Sequence, residues 1–288
     1  MLIQDFASNY KDDPITFFRF NPEDLKDIDL YLGIKAMEHY KKTNNISVYL
    51  DFEAPNYSTK IDLRPNYYNF DYIVSICPYT VRYQNTLRNN HLSCYFPVQP
   101  FSLNHKKKYD VIYTGQMHST KLEDLLSVIT KFNYVNVSFT KSSIVTHKNI
   151  SYVKKMKLVS QSNVSIIHNL VFPNYELSDY PQARVLGFTS KNNVYPQLKS
   201  RVFEAAICKS LMLVLKDDFN IIENYFTENV DFIYFSNRDE LEFLIDDARN
   251  YPSKYESLVN NAYIKCLKSY TVDRFFTDFI YPLSSRIL

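Results

Sequence analysis

Residues 109–129 read YDVIYTGQMHSTKLEDLLSVI, and the fold follows from this stretch. Tyr109 to Gly115 has the apolar, β-branched make-up of a buried strand and closes in a glycine turn. Thr120 then stands as a helix N-cap, Glu123 completes a capping box, and Leu122, Leu125, Leu126 and Ile129 recur on one helical stripe. Strand, turn and helix in that order form the repeating unit of a parallel sheet covered by helices.

The pattern continues downstream. Val135, Val137 and Phe139 alternate as a second strand, a short helix covers about Lys154 to Ser160, and NVSIIHN (Asn163 to Asn169) reads as a third strand. A helix near Gln197 to Cys208 leads into the buried strand LMLVL (Leu211 to Leu215), followed by FIYF (Phe232 to Phe235). One helix, capped near Ser236, turns Leu241, Leu244, Ile245 and Ala248 inward; a longer one carries Tyr255, Leu258, Val259, Ala262, Tyr263, Cys266 and Leu267 on one stripe. Thr271 announces a last helix, whose FFTDFIYPL aromatics are expected to pack back across a lobe interface. Upstream, ISVYLDFEAP (Ile46 to Pro55) and FDYIVSIC (Phe70 to Cys77) read as strands, with a helix around Leu30 to Lys42 before them. The expected class is therefore α/β, in two lobes spanning residues 1–105 and 106–288, the N-terminal one shortened. The linker is Phe101 to Lys108, where Lys106, Lys107 and Lys108 read as a solvated run after the prolines of FPVQP.

Composition excludes several function classes. The 33 basic and 31 acidic side chains leave a formal charge of +2, which does not favour a phosphate backbone as partner, so no nucleic acid is expected. Cys77, Cys94, Cys208 and Cys266 are scattered without CxxC pairs, which points to neither a zinc site nor a disulfide framework and fits a reducing cytoplasm. The N-terminus lacks a signal-peptide pattern, and no run of about 18 apolar residues offers a membrane span. Tyr and Phe number 25 and 21, against three Gly and no Trp, so each glycine stands out.

Ligands of open parallel sheets bind at the carboxyl ends of the strands, where helix N-termini attract anions. TGQMHSTK (Thr114 to Lys121) is one such place: Gly115 and Gln116 form a turn that lets backbone approach a ligand, and Lys121 can offset phosphate charge. As an ordinary βα loop it would look the same. The second is YPQLKSRVFEAAICKSLMLVL (Tyr195 to Leu215). Pro196 suits a helix start, Gln197, Arg201 and Glu204 share a polar face, and Leu198, Val202 and Ala205 follow another. Spacing alone favours an Arg201 to Glu204 salt bridge on a solvent face, worth a few tenths of a kcal/mol.

A resemblance shifts that balance. KSRVFEAAICKSLMLV resembles the donor-binding helix of GT-B glycosyltransferases, especially the family-1 type related to spore-maturation glycosyltransferases, in which R-x-F-E-A precedes an apolar strand. DFIYFSNRDELEFLIDDARN is similar to the aromatic strand and E-L helix of that family, SYTVDRFFTDFI to its closing segment, and YDVIYTGQMHSTK to its opening strand. The matches run in order over roughly residues 109 to 281. The resemblance implies a GT-B-like pair of Rossmann-type lobes with the nucleotide-sugar donor bound by the C-terminal one. It places Glu204 on the ribose hydroxyls, where two carboxylate oxygens meet two donors, Arg201 and Lys199 at the diphosphate, and Lys121 as a third cation. Two departures stand out: the first glutamate of an E-x7-E pattern is Pro196 here, and the usual A-C-G is Ile207, Cys208 and Lys209. They count against a retaining mechanism of that class and leave the donor site in place.

An inverting reaction requires a base for the acceptor hydroxyl. Asp51 and Glu53 in LDFEAP and His118 beside the glycine turn are the candidates, with capping, turn chemistry or plain surface as the alternative for each. His168, within an apolar strand, reads as a hydrogen-bonded core residue. The DID at Asp27 to Asp29 sits in a segment read as helix, so no metal is expected, and the only co-substrate implied is a nucleotide-diphospho-sugar. Tyr57, Tyr67, Tyr68 and Tyr79 are either sugar-stacking aromatics or core. The expected activity is transfer of a hexosyl or pentosyl group to a hydroxyl of a glycan, lipid or protein. The competing readings are a catalytically idle nucleotide-binding or scaffold member of the same fold, and an unrelated sugar-phosphate-binding α/β protein.

Overall fold

The computed structural model describes residues 27–32, 40–52, 67–117, 119–171 and 194–284. Two compact units are present: unit one comprises Met1–Pro97, Pro173–Gln197 and Val272–Leu288, and unit two comprises Val98–Phe172 and Leu198–Thr271. The expected single boundary at 105/106 thus differs from the observed division. The chain changes unit at Pro97, and the last segment belongs to unit one. Glu53, Tyr57 and His118 lie outside the described residues, as does most of the expected helix at Leu30 to Lys42.

Unit one holds a parallel sheet of β1 (Ile28–Leu32), β2 (Ile46–Asp51), β3 (Tyr72–Ser75) and β4 (His91–Ser93) in the order β1-β2-β3-β4. Leu30 pairs with Val48, Val48 with Tyr72, and Val74 with Leu92. Leu30 to Leu32, expected to open a helix, are therefore strand, and Asp29 of the DID triplet binds Thr43 and Asn45 through its carboxylate. The physical reason is burial: Ile28, Leu30, Tyr31 and Leu32 are all buried, as a parallel strand covered on both faces requires. Helix α1 (Pro78–Gln84) follows β3, with Pro78 in the first turn and the Cys77 sulfur accepting the Thr80 N–H.

Aromatics fill this unit. Tyr31, Tyr49, Tyr67, Phe70 and Ile73 form one buried cluster, with Tyr31 edge-on to Phe70 at 5.1 Å between ring centroids. Tyr67 is thus core and no free stacking surface. In the C-terminal segment a helix at Val272–Phe275 runs into a π-helical turn at Phe276–Ile280, where Phe275 packs on Phe52 and Tyr95, and Phe279 on Tyr95.

His91 gives unit one a pH dependence. Its Nε2 lies 3.2 Å from the Tyr67 hydroxyl, and burial pushes its pKa from 6.5 down to about 4. As pH falls through about 6.5 the unfolded chain takes up a proton that the folded one refuses, so stability drops until about pH 4 and then levels off. Urea denaturation at a series of pH values is expected to show this slope, and His91→Gln to reduce it.

Unit two is a five-stranded parallel sheet built from β5 (Tyr109–Thr114), β6 (Tyr134–Val137), β7 (Ser162–Ile167), β8 (Leu211–Leu215) and β9 (Ile233–Phe235), in the order β9-β8-β7-β5-β6. Val111 pairs with Val164 and Leu213 with both Ile166 and Ile233. The chain leaves β5 for β6 on one side and returns to β7 on the other, so the carboxyl ends of β5 and β7 flank the topological switch point where α/β sheets bind ligands. The helices are α2 (Thr120–Leu126), α3 (Tyr152–Ser160), α4 (Ser200–Ile207), α5 (Arg238–Asn250) and α6 (Glu256–Ser269). One core packs Val111, Tyr113, Leu122, Leu126, Ile129, Val164, Ile166, Leu213, Leu241 and Ile245 together.

Several boundaries move by a residue or more. Ser119, not Thr120, caps α2 by accepting the Leu122 N–H, and Glu123 binds the Ser142 hydroxyl instead of closing a capping box. Asn237 caps α5 one residue past Ser236, whose own N–H donates to Glu240. Phe139 falls outside β6 and is exposed. Lys107 is turned in from the expected solvated run and donates to the carbonyls of Ser162 and Lys209, each at 2.7 Å. Where relatives are expected to carry glycine, Lys209 adopts φ +51°. It ends α4 in a Schellman turn, with Ser210 N–H bonded to Ala205 O and Lys209 N–H to Ala206 O.

Candidate functional site

At the carboxyl end of β5, Gly115 has φ +136°, a conformation that only glycine adopts at low cost. Space as well as conformation demands it. A Cβ at this position would lie 2.0 Å from Nη2 of Arg201, so the guanidinium rests directly on the glycine α-carbon. Its central carbon also lies 5.0 Å from the centre of the Tyr113 ring, a cation–π arrangement. Tyr113 is wholly buried, and its hydroxyl reaches Nε2 of His168 at 2.9 Å and the Gln116 carbonyl at 3.0 Å. His168 is anchored in turn by Nδ1 against the Leu170 carbonyl, which agrees with its reading as a hydrogen-bonded core residue.

Arg201 comes from the first turn of α4. This helix begins at Ser200 with Lys199 as N-cap, whose side chain makes no capping hydrogen bond. The expected start at Pro196 is not observed, since Tyr195–Pro196 is a two-residue strand. The Lys199 N–H is taken instead by the Asn169 side-chain oxygen at 3.3 Å, so a tertiary contact, not a helical turn, directs the chain into α4. Burial, with Arg201 nearby as the second cause, draws the Lys199 ammonium down to about 7.

The Arg201 to Glu204 salt bridge that spacing favoured does not form, and Glu204 does not face solvent. It is 1% exposed, and its Oε1 accepts from Lys155 Nζ of α3 at 2.7 Å. The Lys155 ammonium also lies 4.6 Å from the centre of the Tyr152 ring. Burial and the adjacent Glu204 charge raise the Tyr152 phenol well above its usual range. Three polar atoms of this region are buried without a hydrogen-bond partner among the described residues: Nη1 of Arg201, Oε2 of Glu204 and Nδ2 of Asn169. In a folded protein such atoms are few and call for an explanation.

Of the expected donor-site residues, Gly115 and Arg201 are in contact, Lys199 and Glu204 belong to the same helical segment, and Gln116 follows Gly115 with its side chain tied to Thr140 at 3.1 Å. Lys121 is exposed in the first turn of α2. Asp51 is 1% exposed at the end of β2 in unit one. Sequence reasoning missed Asn169 and Lys155. A polar pair, His168 and Asn169, closing an otherwise apolar strand was the signal for the first; nothing local marks Lys155 as the partner of Glu204. Among the described residues no cluster of His, Cys, Asp and Glu is arranged to hold a metal, and no helix is long and apolar enough to cross a membrane.

A family model described as glycosyl transferase-like matches residues 133–280, more than half of the chain. No curated protein sequence is similar to it at a significant level. Among solved structures, TarM of S. aureus, in complex with fondaparinux, alpha-GlcNAc-glycerol and UDP, superposes with TM-score 0.58 at 11% identity, covering 91% of this chain and 56% of TarM. HepE of Anabaena with UDP-glucose gives TM-score 0.59 at 12% identity, covering 90% and 79%. The pneumococcal O-GlcNAc transferase GtfA, with UDP and GlcNAc, gives 0.55 at 8%, covering 99% and 60%. The chain thus spans little more than half the length of TarM, and the likeness establishes the fold, a GT-B-like pair of Rossmann-type units.

Proposed function

The chain belongs to the glycosyl transferase-like family, and on that premise we propose that it moves a sugar from a nucleotide-diphospho-sugar to a hydroxyl of a glycan, lipid or protein acceptor. The observation that carries the reading is the seating of Arg201 on Gly115 at the switch point of unit two. A guanidinium fixed at the carboxyl edge of the sheet, beside the start of α4, suits a diphosphate and the charge it gains as the sugar departs. Lys199 adds a second cation, with Lys121 as an outer one. In this reading Glu204 receives the ribose hydroxyls through Oε2, while Lys155 holds Oε1. Activation of the acceptor hydroxyl falls to Asp51, Glu53 or His118. The UDP and UDP-sugar complexes of HepE, TarM and GtfA support a uridine nucleotide as the first donor to try.

Calorimetric titration with UDP and GDP, followed by nucleotide release from UDP-sugars in a mixed acceptor pool, tests the proposal. Binding is expected to weaken about ten-fold or more in Glu204→Ala, by the loss of hydrogen bonds to a charged group. Absence of binding, or binding that survives Glu204→Ala, would sink it. Pro196 and Lys209, which replace residues expected of active relatives, favour the idle-scaffold reading, for which nucleotide binds and no sugar is transferred.

A further inference from the structure

We infer that Asn169 is a binding residue of this site, its side-chain NH2 donating to a phosphate oxygen of a nucleoside diphosphate seated at the N-terminus of α4. The inference rests on the transferase reading of the same site and adds a residue to it. Asn169 is 0% exposed. The orientation of its amide follows from its one bond, because a backbone N–H can be accepted only by oxygen: Oδ1 takes the Lys199 N–H. The free end is then Nδ2, a buried donor pair without an acceptor. A purely structural asparagine in a protein interior uses both ends of its amide; this one uses one.

What surrounds the free end selects the ligand. The bond to Lys199 puts the amide at the start of α4, a helix whose N-cap residue makes no side-chain capping bond and whose first N–H groups and dipole attract anions. Arg201, on the first turn of the same helix, carries a second buried donor without an acceptor, Nη1. Guanidinium, amide NH2 and helix N–H groups are donors alike, and an oxyanion with several acceptor oxygens satisfies all of them. Phosphate groups have that chemistry.

The test is calorimetric titration of the full chain with UDP and GDP, and in parallel with uridine and guanosine, which lack the phosphates. The wild type is expected to bind a diphosphate more tightly than its nucleoside. Asn169→Asp keeps an acceptor for the Lys199 N–H and replaces the NH2 with an oxygen. It is expected to weaken diphosphate binding about ten- to a hundred-fold while leaving nucleoside binding unchanged. Asn169→Ala should shift the same ratio less, and it decides the matter if the aspartate variant does not fold. A variant that loses thermal stability but keeps the wild-type ratio of diphosphate to nucleoside affinity overturns the inference and leaves the transferase reading standing. A wild type that binds neither UDP nor GDP overturns both.

Discussion

Lys155→Met is expected to destabilise the protein by about 3 kcal/mol, the lower end of the range for breaking a buried ion pair. Glu204 is 1% exposed and its partner 20% exposed, so removal of the ammonium strands a carboxylate among the buried residues of α4 with no second cation among the described residues bonded to it. The partial exposure of Lys155 keeps the loss from being larger, because water gains some access to the charge once the side chain is shortened. The double variant Lys155→Met with Glu204→Leu is expected to recover most of the loss, since a buried pair replaced by apolar groups is often near neutral. Urea denaturation of the four proteins in the cycle checks both statements. A single-variant loss below about 0.5 kcal/mol, the level of an exposed pair, would show that the carboxylate is solvated or neutral and that the pair does not hold it.

Gly115→Ala is expected to combine two effects that a mutant cycle separates. At φ +136° an alanine is strained whatever the space around it, a cost of about 1–3 kcal/mol in folding stability. Independently, the new methyl would stand 2.0 Å from Nη2 and 2.6 Å from the central guanidinium carbon of Arg201. A flexible side chain yields before a backbone does, so the guanidinium is displaced from Gly115 and from the Tyr113 face. Nucleotide-diphosphate affinity is then expected to fall about as far as in Arg201→Ala, roughly ten- to a hundred-fold. The double variant should bind no more weakly than either single one, because each removes the same interaction. Additive losses would mean that the glycine does not set the position of the arginine.

Much of unit two was legible in the chain because its signals are local. A strand such as LMLVL, a glycine turn after YDVIYT, and the stripe of Leu241, Ile245 and Ala248 depend on residues a few positions apart, and the structure has each of them as read. Unit one was harder to read. IDLYL carries an apolar run without a clear period, and its strand character comes from being paired with β2 and covered on both faces.

The partners of the candidate site behave differently again. The sequence by itself determined that Arg201 and Glu204 share a helix preceding a buried strand, that Gly115 ends the first strand of unit two, and that the parallel order puts ligand chemistry at the carboxyl edge. Only the tertiary structure decided that Arg201 lies on Gly115, that Glu204 turns away from Arg201 to Lys155, and that Asn169 pins the start of α4. These contacts join residues 30 to 86 positions apart in the chain. Helical spacing puts Arg201 and Glu204 within reach of each other, but what each side chain finally touches depends on which strands and helices the folded sheet brings alongside it.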